Sequence, residues 1–179
     1  MEEKKLKSIR LIAMALGIAG CAVLLWSLFM ACCTFTGSEV GSASVSLRDY
    51  MDIKVMTAFE LVGLSIVFTL LNYAVPQILS GAFAAVWAGL MCWKITHRAA
   101  EATEYLSAKI GPGMYMFILS AVLILVSGIL FCIVPDKYKG YRASERQIRM
   151  SRKLEVFCTA SMGLSVMLFS VFELLKIHT

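Results

Sequence analysis

The sequence has few charged residues and no polar stretch long enough to form a separate water-soluble domain. Charged side chains make up 16% of its 179 residues. The longest connections between its apolar stretches have about twenty residues, far fewer than a self-supporting core requires. We therefore expect residues 1–179 to form a single domain.

Motifs that carry catalysis or cofactor binding are also missing. The sequence has no glycine-rich phosphate loop, no His-Glu-x-x-His motif and no Cys-x-x-Cys pair. His97 and His178 are isolated from each other, so they give little support to a metal site. We expect no enzymatic activity, no cofactor and no metal. A thiol or quinone redox enzyme, suggested by the six cysteines alone, is the weakest hypothesis.

What the sequence does contain is five long apolar stretches. Hydrophobic residues make up 59% of the chain. A helix needs about 20 apolar residues to cross the hydrocarbon core of a bilayer. The stretches predict an all-α, polytopic transmembrane helix bundle that forms one membrane domain with five spans, at about 11–33, 55–75, 78–93, 114–134 and 154–175.

Two regions allow a second interpretation. Residues 55–93 can form two full spans or a re-entrant hairpin that turns near Pro76, which disfavours a continuous helix. Two spans are favoured, because broken backbone exposed to lipid is costly. The N-terminal stretch resembles a lipoprotein signal that ends at Cys21. The apolar run continues to Cys33, however, so we expect a retained helix.

Lys and Arg residues are distributed unevenly among the connections, which predicts an orientation. If the N-terminus is inside, the cytoplasmic side carries eleven of them and the outer side six. Membrane proteins usually have more Lys and Arg on the cytoplasmic side. We therefore expect the N-terminus inside and the C-terminus outside, in the cell membrane.

The connection before the last stretch carries seven of these basic residues. Next to a membrane such a cluster attracts anionic headgroups, by about 1 kcal/mol per basic residue. Membrane lipids are therefore expected partners, although setting the topology is a sufficient reason for the charge. Nucleic acid is not expected, because the segment is short and tethered. The candidate lipid contacts are Arg142, Arg146, Arg149, Arg152 and Lys153.

Small residues recur at a four-residue spacing in three of the stretches. Gly81, Ala85 and Gly89 form one row, and Gly17 belongs to another. Small residues let transmembrane helices approach closely. The rows predict contact among the first, third and fifth helices of one chain. Self-association through one row is the alternative.

Three polar side chains in or beside the spans are candidates for a transport or other polar site: Glu60, Asn72 and Gln77. An ionisable residue inside a span is expensive and suggests function. Glu60 falls about one turn into the second span, where the exposed N–H groups of a helix favour a carboxylate. An interfacial position is the simpler interpretation, and a buried proton or cation site is the alternative.

The first connection and its flanks contain two further features. Cys32 and Cys33 are adjacent, and they are expected to pack as small apolar residues. A vicinal disulfide, or a disulfide with Cys92, is the alternative. Residues 44–47 alternate small and apolar side chains, which predicts a short strand that pairs with residues 52–55 outside the membrane.

Two short motifs resemble a group of small bacterial membrane proteins. Ser46-Leu47-Arg48-Asp49 matches the Ser-Leu-x-Asp outer loop of that group, and Gly111-Pro112-Gly113-Met114-Tyr115 matches its Gly-x-Gly-x-Tyr start of the fourth helix. These are uncharacterised four-helix proteins with a tight hairpin between the second and third helices. The resemblance covers about residues 11–134. It implies a bacterial origin and the same topology, and it points to no known activity.

These features together predict a non-enzymatic, multi-pass membrane protein. Its expected role is that of an accessory, scaffold or interaction subunit, with a protein partner or a second copy of itself. The alternative is a small oligomeric transporter or channel, which requires Glu60, Asn72 and Gln77 to converge on a cavity.

Overall fold

The computed structural model of the chain describes residues 2–37, 41–46, 53–101, 106–134, 152–161, 163, 164 and 167. Most of them belong to four helices: α1 (Glu2–Phe29), α2 (Ile53–Leu71), α3 (Ala74–Glu101) and α4 (Pro112–Ile133). Three short strands are β1 (Ala31–Gly37), β2 (Gly41–Ser46) and β3 (Leu106–Ile110). A further helical segment is described over residues 152–161.

Three helices are long and apolar enough to cross a membrane. Within the described residues they are Lys4–Phe29, Ala74–His97 and Pro112–Ile133, and α2 contributes the shorter apolar stretch Phe59–Leu71. The expectation of a mostly helical chain is confirmed, and three of its helices could span a membrane by their length and composition. The end of the fifth predicted span, residues 168–175, lies outside the described residues.

The helix ends differ from the predicted span ends. α1 ends at Phe29 rather than at residue 33, because the chain from Ala31 onward pairs as β1. α3 runs from Ala74 to Glu101, well past the predicted 78–93. Hydropathy reports the length of helix that lies in hydrocarbon, whereas a helix continues wherever its own hydrogen bonds are made.

A tight turn at Asn72 and Tyr73 separates α2 from α3. Asn72 has a φ of 56°, a conformation that Asn tolerates better than most residues. Its N–H donates to the carbonyl of Thr69 and that of Tyr73 to the carbonyl of Phe68, which is the Schellman arrangement that ends helices. Pro76 lies in the first turn of α3, where the N–H groups have no partner within the helix, so the N–H that proline lacks is not needed. The predicted helix break is confirmed.

α4 occupies the middle of the bundle. It packs against α1 and against α3, while α2 packs chiefly against α1 and α3. Among the described residues, α1 and α3 therefore each pack mainly against α4 and not against each other. This arrangement differs from the expected direct contact between them.

The row of small residues on α3 is divided by this packing. Gly81 is buried against α4, whereas Ala85 and Gly89 are exposed. Ala84 and Ala88 are buried in their place. The face of α3 that packs against α4 carries Gly81 and Ala84. Ala85 and Gly89, at steps of four residues from Gly81, lie outside that face.

The strands form one antiparallel sheet in the order β2-β1-β3. Because β1 follows α1 and β3 precedes α4, the sheet lies at one end of the bundle, called here the sheet end. The opposite end, which carries the Asn72–Tyr73 turn, is the turn end. The expectation of an all-α fold is therefore incomplete. β2 contains the predicted strand at Ser44, but its partner is β1, because the chain from Ile53 is already helical.

Candidate functional site

Small and polar residues from all four helices meet in the bundle interior, between its middle and the turn end. All six are buried, so each polar atom needs a hydrogen-bond partner within the protein. We call this group the polar node. Its members are Gly17 of α1, Ser65 and Thr69 of α2, Gln77 and Ser80 of α3, and Ser127 of α4.

The side chains of α2 and α3 fix the direction of one another's hydrogen bonds. The Thr69 hydroxyl donates to the Ser65 carbonyl at 2.7 Å, so it accepts from Nε2 of Gln77 at 2.9 Å. The Ser80 hydroxyl donates to the Gln77 carbonyl at 3.0 Å. Since a hydroxyl has one hydrogen, Ser65 is the donor in its 2.9 Å bond with Ser80. All three hydroxyl hydrogens are thereby used.

The side-chain oxygen of Gln77 is the exception in this network. Gln77 is 0% exposed, and no group among the described residues donates a hydrogen bond to its Oε1. Turning the amide over would place Oε1 against the Thr69 hydroxyl, whose hydrogen is already given to Ser65. Oε1 of Gln77 could therefore accept a hydrogen bond from a small donor such as water. It contains no ionisable side chain that could act as a general acid or base.

α1 and α4 close the node from the other side. The Ser127 hydroxyl donates to the carbonyl of Ala13 at 2.7 Å, which joins the two helices directly. A Cβ at Gly17 would lie 2.5 Å from Oγ1 of Thr69 and 2.8 Å from Oγ of Ser127. Only glycine lets α1 come this close, as is common where membrane helices cross.

Asn72 connects the α2–α3 turn to α1 at the turn end. Its Oδ1 accepts from Nε of Arg10 at 3.1 Å, and its Nδ2 donates to the carbonyl of Leu70 at 3.2 Å. Both ends of the amide are thus engaged. Asn72 holds the charge of Arg10 against the end of the α2–α3 hairpin.

Two of the three residues predicted for a transport site lie at or near the Asn72–Tyr73 turn, with separate hydrogen-bond partners. Asn72 lies in the turn and Gln77 in the first turn of α3, and both are buried, at 1% and 0% exposure. Glu60 is exposed, eleven residues before the last residue of α2, or about 17 Å along the helix. The carboxylate does not join the node. The node's serines and threonine were missed, although Ser65 and Thr69 stand one helical turn apart just before the break.

Cys21, Cys32 and Cys33 are buried, Cys92 and Cys158 are partly buried, and Cys132 is exposed. Cys32 is buried, and its thiol donates to the carbonyl of Val45 at 3.0 Å, which ties β1 to β2. Burial also raises the pKa of the Cys33 thiol. All six cysteines are free thiols, so neither the vicinal disulfide nor one to Cys92 is formed.

The predicted lipid-contact residues are only partly described. Arg142, Arg146 and Arg149 lie outside the described residues, while Arg152 and Lys153 are exposed at the start of the helical segment 152–161. Nowhere in the described ranges do three or more His, Cys, Asp or Glu side chains group as metal ligands would. In the comparisons with known proteins, no protein family and no curated protein matches this chain.

Proposed function

We propose that this chain is a non-enzymatic, multi-pass membrane protein that acts as an accessory, scaffold or interaction subunit. The observation that carries the proposal is a sheet held against one end of a helix bundle by close backbone contacts. A membrane protein that presents a fixed surface in water is suited to binding another protein.

The fixed position of the sheet rests on a close crossing between the chain after α1 and the chain before α4. The N–H of Gly111 donates to the carbonyl of Cys32 at 2.8 Å. A Cβ at Gly111 would collide with the carbonyl oxygen of Ala31, and one at Gly113 would lie 2.7 Å from that of Met30. The Gly-x-Gly spacing thus lets two backbones touch at the base of the sheet.

The outer strands supply the surface for a partner. Among the described residues β2 and β3 each pair only with β1. Ser42, Ala43 and Ser44 of β2 are exposed and carry no charge. An outer strand has backbone N–H and C=O groups that a strand of another chain can pair with. A protein partner or a second copy of this chain is the occupant that this edge favours.

The proposal places the sheet outside the cell, on a chain of five spans in the cell membrane. The excess of Lys and Arg in the N-terminal tail and in residues 137–153 supports an inside position for both. α1 would then deliver β1 to the outer surface, and the helical segment 152–161 would start at the inner surface. Membrane lipids would be partners along the bundle, and nucleic acid would not be.

A small oligomeric transporter or channel is the less well supported alternative. It needs Glu60 to face the same path as Gln77, whereas Glu60 is exposed and about 17 Å along α2 from the turn. The buried polar node joins four helices of one chain, which is a role in packing that requires no path.

Site-specific photo-crosslinking in native membranes tests the proposal. A photoreactive amino acid at Ser44, exposed on β2, should give one discrete adduct. The same amino acid at Val122, 51% exposed on α4, is the matched control and should give no discrete adduct. An adduct of twice the chain mass would identify a second copy, and any other mass a partner. The absence of an adduct specific to Ser44 would contradict the proposal.

A further inference from the structure

A groove opens at the turn end of the bundle, between the first turn of α3 and the helical segment 152–161. Its volume is ≈ 520 Å³, within the range of about 300–1,000 Å³ typical of small-ligand sites. We call it the turn-end groove. It is lined by Val75, Arg152, Glu155, Val156, Thr159 and Ala160.

The residues at the mouth of the groove indicate where it would lie relative to the membrane. Val75 is the second residue of α3, just after the Asn72–Tyr73 turn, and Arg152 opens the described part of the helical segment. If the candidate span Ala74–His97 crosses the membrane, both positions lie at the boundary between hydrocarbon and headgroups. Ala160 lies two turns further along the segment, about 12 Å from Arg152 along the axis, on the hydrocarbon side.

The wall of the groove is apolar and open to the bilayer. Val75 and Val156 are 48% and 68% exposed. The hydroxyl of Thr159 donates to the carbonyl of Glu155 at 2.7 Å, so its hydrogen is used inside the helix. An acyl chain is the ligand that such a wall accommodates.

The mouth of the groove carries positive charge. Arg152 lines it, and Lys153 is exposed beside it. Glu155 is the one acidic residue of the lining. In the sequence, five more basic residues precede this pair between 137 and 149. A cationic mouth above an apolar wall is complementary to an anionic headgroup joined to an acyl chain.

We propose that the turn-end groove binds one anionic phospholipid. Its acyl chain would lie along Val75, Val156 and Ala160, and its phosphate at the guanidinium of Arg152. Inorganic phosphate or a free headgroup would gain nothing from the apolar wall. The inference goes beyond the proposed scaffold role, because it involves neither the sheet nor a protein partner.

Native mass spectrometry of the purified protein in detergent tests the groove. Phosphatidylglycerol and phosphatidylcholine with identical acyl chains are added separately, and retention of phosphatidylglycerol should be the greater. Arg152→Gln should lower its retention about fivefold, the effect of losing one basic contact. Lys153→Gln removes the same charge one residue away, outside the lining, and should lower it less.

A second pair of variants tests the apolar wall. Val75→Phe should fill the groove and reduce retention of both lipids. Val86→Phe changes another exposed valine on α3, outside the groove lining, and should not reduce it. Glu155→Gln should increase retention of phosphatidylglycerol, a gain that a misfolded variant would not give.

Several outcomes would overturn the assignment. These are equal losses from Arg152→Gln and Lys153→Gln, no loss from Val75→Phe, equal retention of the two lipids, or displacement of the lipid by soluble glycerol phosphate. Crosslinking from Ser44 is measured independently, so failure of the lipid site leaves the scaffold proposal standing, and the reverse also holds.

Discussion

Replacing Gly81 by alanine should weaken the contact between α3 and α4, although alanine is the better helix former. A Cβ at Gly81 would lie 2.7 Å from the backbone nitrogen of Leu125 and 2.8 Å from its Cα. Backbone atoms cannot rotate away, so the two helices must separate. Gly89 lies two turns later on α3, and a Cβ there would meet nothing within 4 Å. Gly89→Ala is therefore the matched control.

The two substitutions share one energy term and differ in another. Alanine gains up to about 1 kcal/mol over glycine in helix propensity at either position. Overpacking at Gly81 costs about 1–3 kcal/mol. Gly89→Ala should thus be neutral or stabilising by up to about 1 kcal/mol. Gly81→Ala should be less stable than Gly89→Ala by about 1–3 kcal/mol, because the shared term cancels.

Unfolding in mixed micelles, followed by tryptophan fluorescence, measures this difference. Trp87 is buried on α3 and makes an edge-to-face contact with Phe117 of α4, with ring centroids 5.4 Å apart. With Trp26 and Trp93 replaced by phenylalanine, its emission reports on the contact that Gly81 permits. If both variants shift the midpoint equally, the close approach of the helices at Gly81 does not limit stability, and the reasoning fails.

Three further predictions concern the node, the sheet and the orientation. Gln77→Met should change the free energy of unfolding by less than about 1 kcal/mol, because it removes an unpaired acceptor together with one hydrogen bond to Thr69. Gln77→Glu buries a carboxyl group and should cost at least about 3 kcal/mol at neutral pH. Equal losses of stability in thermal unfolding would contradict this prediction. Burial raises the pKa of the Cys33 thiol, so Cys33 should react with maleimide more slowly than a cysteine placed at exposed Ser44. Both rates are measured on single-cysteine variants at pH 8, and the difference should be lost on denaturation. Similar rates in the folded protein would refute the packed position of Cys33. In intact cells an impermeant maleimide should label Ser44→Cys and not Lys5→Cys, and the opposite pattern would reverse the proposed orientation.

Hydropathy predicted helices long and apolar enough to span a membrane, because each such helix must satisfy the bilayer on its own. The break between α2 and α3 was also predictable, since Pro76 and the polar residues before it act locally. The paired strand was not. Residues 44–46 contain a strand pattern, but the partner β1 was concealed in Ala31-Cys32-Cys33, which reads as the end of an apolar helix. Strand pairing depends on residues distant in sequence, and hydropathy cannot separate a strand end from a helix end.

The polar node shows a different limit of the sequence. Serine and threonine are common in membrane helices and cost little, because each can bond to its own helix. Ser65 and Ser80 therefore looked unremarkable singly, and their meeting depends on the geometry of the Asn72–Tyr73 turn. Glu60 was predicted as a site residue because it is charged. It is exposed and lies nearer the start of α2, away from Gln77.

The glycine crossing beneath the sheet has a mechanical consequence. Gly111 and Gly113 hold the exit of α1 against the entrance of α4, and these two helices also share the Ser127 bond deeper in the bundle. We therefore expect the sheet, α1 and α4 to move as one body. A ligand that tilts the sheet would have to tilt α1 and α4 together, and the displacement would reach the turn end of the bundle.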